Sequence, residues 1–189
     1  MKSTKIIFGL FILVAIAQLL VPTKMIYDQE NTLKKGKAYK FITQPIDPSD
    51  PFRGKYIVLN YEISRYKTMD TTWVSNQEIF VYLKDSLGFA KIDTISKEKL
   101  NSEKDYLQTN VDWYNSYNKE LNINIPFNRF YMEESKAKPA EDLVRNSTNL
   151  NELSTTYALV YVDGSNFVLN NVFVDDVPIK DAVDAQNKN

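Results

Sequence analysis

The chain has 189 residues, enough for one ordinary domain and an N-terminal extension, and a formal net charge of −1, which gives no electrostatic footprint for nucleic acid. It has no histidine and no cysteine, which excludes a Ser-His-Asp triad, a thiol nucleophile, imidazole or thiolate metal ligation and a disulfide framework. Glycine is scarce (5 residues) and aromatics are plentiful (12 Tyr, 10 Phe), as suits a packed globular chain and not a low-complexity one.

Residues 1–27 place Lys2 and Lys5 before an uncharged apolar run, 6–21, and then Pro22, Thr23 and Lys24. Lys24 can snorkel, and Met25, Ile26 and Tyr27 extend the apolar surface to an interfacial tyrosine. A helix over 6–27 would be about 33 Å long, which suits a bilayer core. Ala15-Ile16-Ala17 has the small-x-small form of a signal-peptide cleavage site. It lies inside the apolar run and precedes Gln18-Leu19-Leu20-Val21, so an uncleaved anchor is favoured over a cleaved signal and over a buried helix. The two lysines favour a cytoplasmic N-terminus, although Lys34, Lys35 and Lys37 lie on the far side. The remainder would then face the periplasm or exterior, tethered to the inner membrane as a single-pass protein. All 24 acidic residues follow Tyr27 with 20 of the 23 basic ones, so that part carries net −4.

Residues 28–37 suit a linker or a helical extension of the anchor. A strand is predicted over 39–43. The segment 55–63 alternates strictly, with Ile57, Leu59, Tyr61 and Ile63 on one face and Tyr56, Val58, Asn60 and Glu62 on the other. The apolar run 79–83 predicts a central strand within a hairpin over 78–95. Residues 96–120 carry no clear pattern. A strand is predicted over 121–125, a short one over 129–132, and a helix over 139–145 with Pro139 in its first turn. Asp163-Gly164 predicts a tight hairpin turn between 157–162 and 167–169, continued by 172–174. The tail from Asp181 is polar and is expected to fray. The fold class is therefore mainly β, an antiparallel barrel or sandwich with one short helical insert, after a single transmembrane helix. The expected organisation is anchor 1–27, linker 28–37, β-rich domain 38–180 and polar tail 181–189.

The turn before the second strand reads IDPSDPFRG. Pro48 and Pro51 push Asp47 and Asp50 into extended geometry, Arg53 can bind a carboxylate in bidentate fashion, and Gly54 lets the chain bend. An internally paired loop, with Arg53 bonded to Asp50, Asp47 or a glutamate of 133–141, is favoured over a ligand-binding loop. Two aspartates are too few for a calcium site. Arg129 and Tyr131 share a strand face, and Glu133, Glu134 and Glu141 follow. Ion pairs are favoured there over carboxylate acid–base work on a wall glycan. The aromatic stretch Trp113-Tyr114-Asn115-Ser116-Tyr117 reads first as packing, and alternatively as a surface for stacking sugars or lying at a membrane.

Gly54-Lys55-Tyr56-Ile57-Val58-Leu59-Asn60-Tyr61 resembles the signature of the bacterial GDYXXLXY protein family, after a D-P-x-D-P-x-R-G lead-in at Asp47 to Gly54. Lys55 stands where the signature carries Asp. Arg129-Phe130-Tyr131-Met132-Glu133-Glu134 and the later Glu141 resemble the family's R-Y-Y-x-x-E segment. The resemblance implies a membrane-anchored bacterial domain and no particular reaction. It also implies an accessory role, because such chains are often encoded beside polytopic membrane proteins. Asp47, Asp50, Arg53, Gly54, Tyr56, Leu59, Tyr61, Arg129, Tyr131, Glu133 and Glu141 are the candidate binding or motif residues. No catalytic residue, metal or cofactor is expected. The expected function is an anchored accessory or binding module that contacts the bilayer through 6–27 and possesses a polytopic membrane partner. The alternative is an envelope enzyme acting through Asp/Glu on cell-wall glycan.

Overall fold

A computed structural model describes residues 2–44, 56–149 and 155–186. Helix α1, Lys2–Lys35, is a single 34-residue helix that carries Pro22 internally. Its stretch Lys5–Lys35 is long and apolar enough to cross a membrane, with a mean hydropathy of 2.5 in its most apolar window and none of that window buried in the protein. Residues 28–35 take the helical-extension alternative: α1 ends at Lys35 and strand β1, Lys37–Gln44, starts two residues later. Gly36 makes this sharp passage possible. Its N–H donates to the Thr32 carbonyl at 2.8 Å. A Cβ there would lie 2.5 Å from the Thr32 oxygen and 3.0 Å from the Val162 oxygen, both backbone atoms.

The rest is mostly antiparallel sheet, as the alternation predicts. The strands are β2 (Tyr56–Val58), β3 (Asn60–Tyr61), β4 (Arg65–Lys67), β5 (Glu78–Ser86), β6 (Phe89–Ser96), β7 (Tyr106–Asn115), β8 (Glu120–Asn124), β9 (Arg129–Tyr131), β10 (Thr156–Asp163), β11 (Asn166–Val174) and β12 (Val177–Pro178). One five-stranded sheet has the order β12-β11-β10-β1-β3, the other β4-β8-β7-β5-β6, and β2 and β9 form a separate two-stranded ribbon. The sheets share one core but do not close into a barrel.

The predicted strand 55–63 keeps its alternation yet is not one strand. Ile57, Leu59, Tyr61 and Ile63 are all buried, while Val58, Asn60 and Glu62 are exposed. What changes is the hydrogen-bonding partner. β2 pairs with β9, the Leu59 N–H donates to the Asn128 carbonyl at 2.8 Å, β3 pairs with β1, and β4 pairs with β8 after a 3-10 turn at Glu62–Ser64. Twelve residues therefore join all three sheets. Tyr61 sits at the joint, 1% exposed, and its hydroxyl donates to the Phe127 carbonyl at 2.9 Å. Its ring meets Phe127 edge-on at 5.2 Å and Phe41 at 6.1 Å.

Four other expectations need correction. The hairpin turn between β10 and β11 is Gly164-Ser165, one residue later than predicted, because Asp163 still pairs with Asn166 and Gly164 takes the positive φ (59°) at the first turn position. The patternless 96–120 contains the ten-residue β7. The helical insert α2 runs Glu134–Asn149, so Pro139 is internal. The helix begins earlier because the Glu133 carbonyl accepts from the Lys136 and Ala137 N–H groups at 2.9 and 3.0 Å, and because Ala137, Ala140 and Leu143 form a buried face. The described part of the tail, 181–186, belongs to helix α3, Ile179–Gln186. Ile179 and Val183, one turn apart, are fully buried, and Lys136 of α2 donates to Asp184 at 2.6 Å.

Two measurements check this arrangement. Tyr61→Phe keeps the ring but orphans a buried carbonyl, so urea melts should show a loss of about 1–3 kcal/mol; an unchanged midpoint would mean that the hydroxyl bond does not hold the joint. Gly36→Ala drives a methyl into two backbone oxygens, so α1 should undock locally from β10. Hydrogen exchange at residues 36–38 and 160–163 should then rise well above wild type while exchange in β5 and β7 stays protected.

Candidate functional site

The family signature divides between core and surface. Leu59 and Tyr61 belong to the core, and Tyr56 faces outward on the ribbon. Tyr56 pairs in register with Tyr131, and Val58 with Arg129. Because direct cross-strand partners share a face, Tyr56, Val58, Arg129 and Tyr131 form one outward patch, while Ile57 and Phe130 point inward. The Tyr56 and Tyr131 rings lie 5.4 Å apart, and the Arg129 guanidinium sits 5.2 Å from the Tyr56 ring centre. Arg129 thus stacks on an aromatic face, a cation–π contact. Tyr131 remains 63% exposed. Glu133 is exposed just beyond β9 and acts on Lys136, whose pKa is raised chiefly by its bond to Asp184 and to a lesser degree by Glu133. Asp47, Asp50, Arg53 and Gly54, and the side chain of Glu141, lie outside the described residues.

A cleft of about 310 Å³ opens next to this ribbon, between β3 with the 3-10 turn on one side and β8 on the other. Asn60, Ser64, Arg65 and Asn128 line one part of it, and Asp112, Asn122 and Asn124 another. Sequence reasoning missed these residues. The signal was present: Asn occupies outward positions of 121–125, where strands seldom carry it. The amide nitrogen of Asn122 is buried and has no hydrogen-bond partner. Register places Arg65, Asn122 and Trp113 side by side across β4, β8 and β7. Between Val111 and Trp113 the register shifts, so Asp112 has no partner opposite it. This bulge turns both Asp112 and Trp113 toward solvent, where simple alternation would allow only one.

A third cluster lies at the far end of β10. The Tyr157 hydroxyl donates to Asp176 at 2.6 Å, and Lys40 lies 3.4 Å from the same carboxylate and 4.5 Å from the Tyr157 ring. Tyr157 stacks on Phe173 at 5.1 Å. The Tyr157 bond, and then Lys40, hold the Asp176 carboxyl below the ordinary carboxylate value. Among the described residues no group of three or more Asp or Glu side chains could hold a metal ion.

The GDYXXLXY protein family model matches residues 18–169. The chain belongs to the GDYXXLXY protein family. No curated protein and no solved structure matches it. In this GDYXXLXY protein the signature tyrosines have different physical tasks: Tyr61 closes the joint between sheets, and Tyr56 builds the outer patch.

The Asp176 cluster yields a pH prediction. A carboxyl depressed in the folded state adds stability above its unfolded pKa, and that contribution disappears as pH falls through the folded value. Tyr157→Phe removes the larger cause, so carboxyl carbon NMR should show Asp176 titrating closer to the ordinary value, with a smaller acid-induced loss of stability. An unmoved titration would assign the shift to Lys40 alone.

Proposed function

We propose that this GDYXXLXY protein is a single-pass, membrane-anchored accessory module that binds a polytopic membrane protein through its extracytoplasmic domain and performs no chemistry itself. The observation that carries this reading is the continuity of α1. An apolar helix with none of its window buried against the domain suits a surrounding of lipid or other helices. The same helix runs unbroken to Lys35 and is seated on the domain at Gly36, so the domain is held close to the bilayer and meets partners by lateral diffusion. The two N-terminal lysines favour leaving the short end in the cytoplasm of a bacterial cell, with the domain outside the inner membrane.

The ribbon Tyr56–Val58 with Arg129–Tyr131 is the docking face we assign to that partner. Tyrosines and an arginine over rigid strands are the side chains that dominate binding interfaces, because they bury much surface at little entropic cost. The exposed arginine suits a partner loop that presents a carboxylate together with apolar side chains.

Two experiments test the proposal. The chain has no native cysteine, and Leu87 is 97% exposed at the β5–β6 turn. Leu87→Cys should therefore react with an impermeant maleimide in intact cells, and the full-length chain should stay in carbonate-washed membranes. Protection until lysis, or a mature N-terminus beyond Ala17, would overturn the topology. A photo-crosslinking residue at Tyr131 should capture a multispanning membrane protein, and Arg129→Ala should weaken that capture. Equal capture from Lys104, on a different surface, or none from Tyr131, would overturn the docking face.

A further inference from the structure

The cleft between β3 and β8 borders the proposed docking patch but is lined by other residues, and its chemistry can be read separately. We propose that it is a saccharide-binding site, in which the Asn60, Asn122, Asn124 and Asn128 amides with Asp112 and Arg65 bind ring hydroxyls while Trp113 stacks on an apolar sugar face. This inference does not rest on the membrane-partner reading.

Four observations converge on it. Among the described residues the lining carries one cation, Arg65, and one anion, Asp112, a balance that suits a neutral ligand better than a phosphate or a metal ion. Its other polar groups are chiefly amides, each offering donors and an acceptor, which matches the dual character of sugar hydroxyls. The Asn122 amide nitrogen is buried without a partner, an uncompensated donor that a ligand hydroxyl can satisfy. The bulge at Asp112 turns Trp113, 44% exposed, onto the face shared by Asn122 and Arg65. A partly exposed tryptophan beside an amide row is costly for solubility and useful for ring stacking.

An extended peptide is the main competitor for such a groove. Peptides bind sheets by adding a strand to a free edge. Here the edge strands beside the cleft, β3 and β4, are two and three residues long, too short to hold a peptide by its backbone. Side-chain amides, not backbone groups along an edge, supply the polar contacts. A cleft of about 310 Å³ is near the lower end of ligand sites, which run roughly 300–1,000 Å³, and suits a short oligosaccharide bound at a terminal or single ring.

The test uses the full chain in lipid nanodiscs prepared without glycoside detergent, which would itself compete. Titration calorimetry would measure the β-1,4-linked N-acetylglucosamine tetramer, cellotetraose, maltotetraose and, as the peptide probe, tetra-alanine. The expected result is binding of at least one oligosaccharide, accompanied by a tryptophan emission change that persists in Trp73→Phe. Trp113→Ala, on the surface, and Asn122→Ala should each weaken it by about tenfold or more, a loss of roughly 1.4 kcal/mol. Lys104→Ala should leave it unchanged. No heat and no emission change with any sugar at millimolar concentration would overturn the proposal. So would sugar binding that survives Trp113→Ala, or tighter binding of tetra-alanine than of every sugar. None of these results bears on capture from Tyr131, so the two readings can fail separately.

Discussion

The hydrogen bond from the Tyr61 hydroxyl to the Phe127 carbonyl lies where the three sheets are tied together. The chain from Tyr56 to Lys67 gives up one neighbour and takes another twice, and each exchange risks leaving backbone donors without acceptors. Through the first change of partner the side-chain phase holds, with Ile57, Leu59, Tyr61 and Ile63 all inward; the 3-10 turn at Glu62–Ser64 then shifts it by one, so that Tyr66 packs on the core between exposed Arg65 and Lys67. Phe41, Phe127 and Phe167 surround the joint with ring distances of 5.1 and 5.3 Å around Phe127. These aromatics come from β1, the loop after β8, and β11. One tyrosine therefore links strands distant in sequence, and its burial pushes its hydroxyl pKa upward, which keeps it a neutral donor.

The same joint fixes what the surface presents. With Ile57 and Phe130 locked into the core, Tyr56 and Tyr131 have only the outward direction left to them. With Leu59 and Tyr61 locked in, Asn60 must face the cleft. Patch and cleft are thus consecutive outward positions of one run whose inward positions are core. A substitution at Leu59 or Tyr61 would disturb both surfaces through packing, whereas one at Tyr56 or Asn60 would touch one surface alone.

How much of this was legible in the sequence depended on phase. Residues 56–63 alternate without a break, so their faces could be read even though the change of partner could not: no local pattern encodes which distant strand will pair. β7 was invisible for the opposite reason. Leu107, Thr109 and Val111 point inward and Gln108 and Asn110 outward, but the bulge at Asp112 shifts the phase by one, and Tyr114 then occupies the inward position. α3 was missed because two apolar residues one turn apart, Ile179 and Val183, make too sparse a stripe for a helix, and their burial depends on α2 and β11. The asparagines of the cleft were visible as letters, but their convergence is a property of the register between β4, β8 and β7.

The geometry of the attachment constrains what either surface can do. A flexible linker would let the domain sample many orientations above a bilayer. Here the helix continues past Tyr27 to Lys35, about 12 Å at 1.5 Å per residue, and it packs on the domain within this stretch, where Thr32 is buried. Gly36 then packs between the Thr32 carbonyl of α1 and the Val162 carbonyl of β10. If α1 spans a bilayer, the orientation of the domain would follow its tilt. Under the anchored reading, ribbon and cleft would each face a fixed direction, and a partner that tilts α1 would turn both together. Loosening the Gly36 seat would uncouple them from that tilt while leaving every side chain of the two surfaces in place.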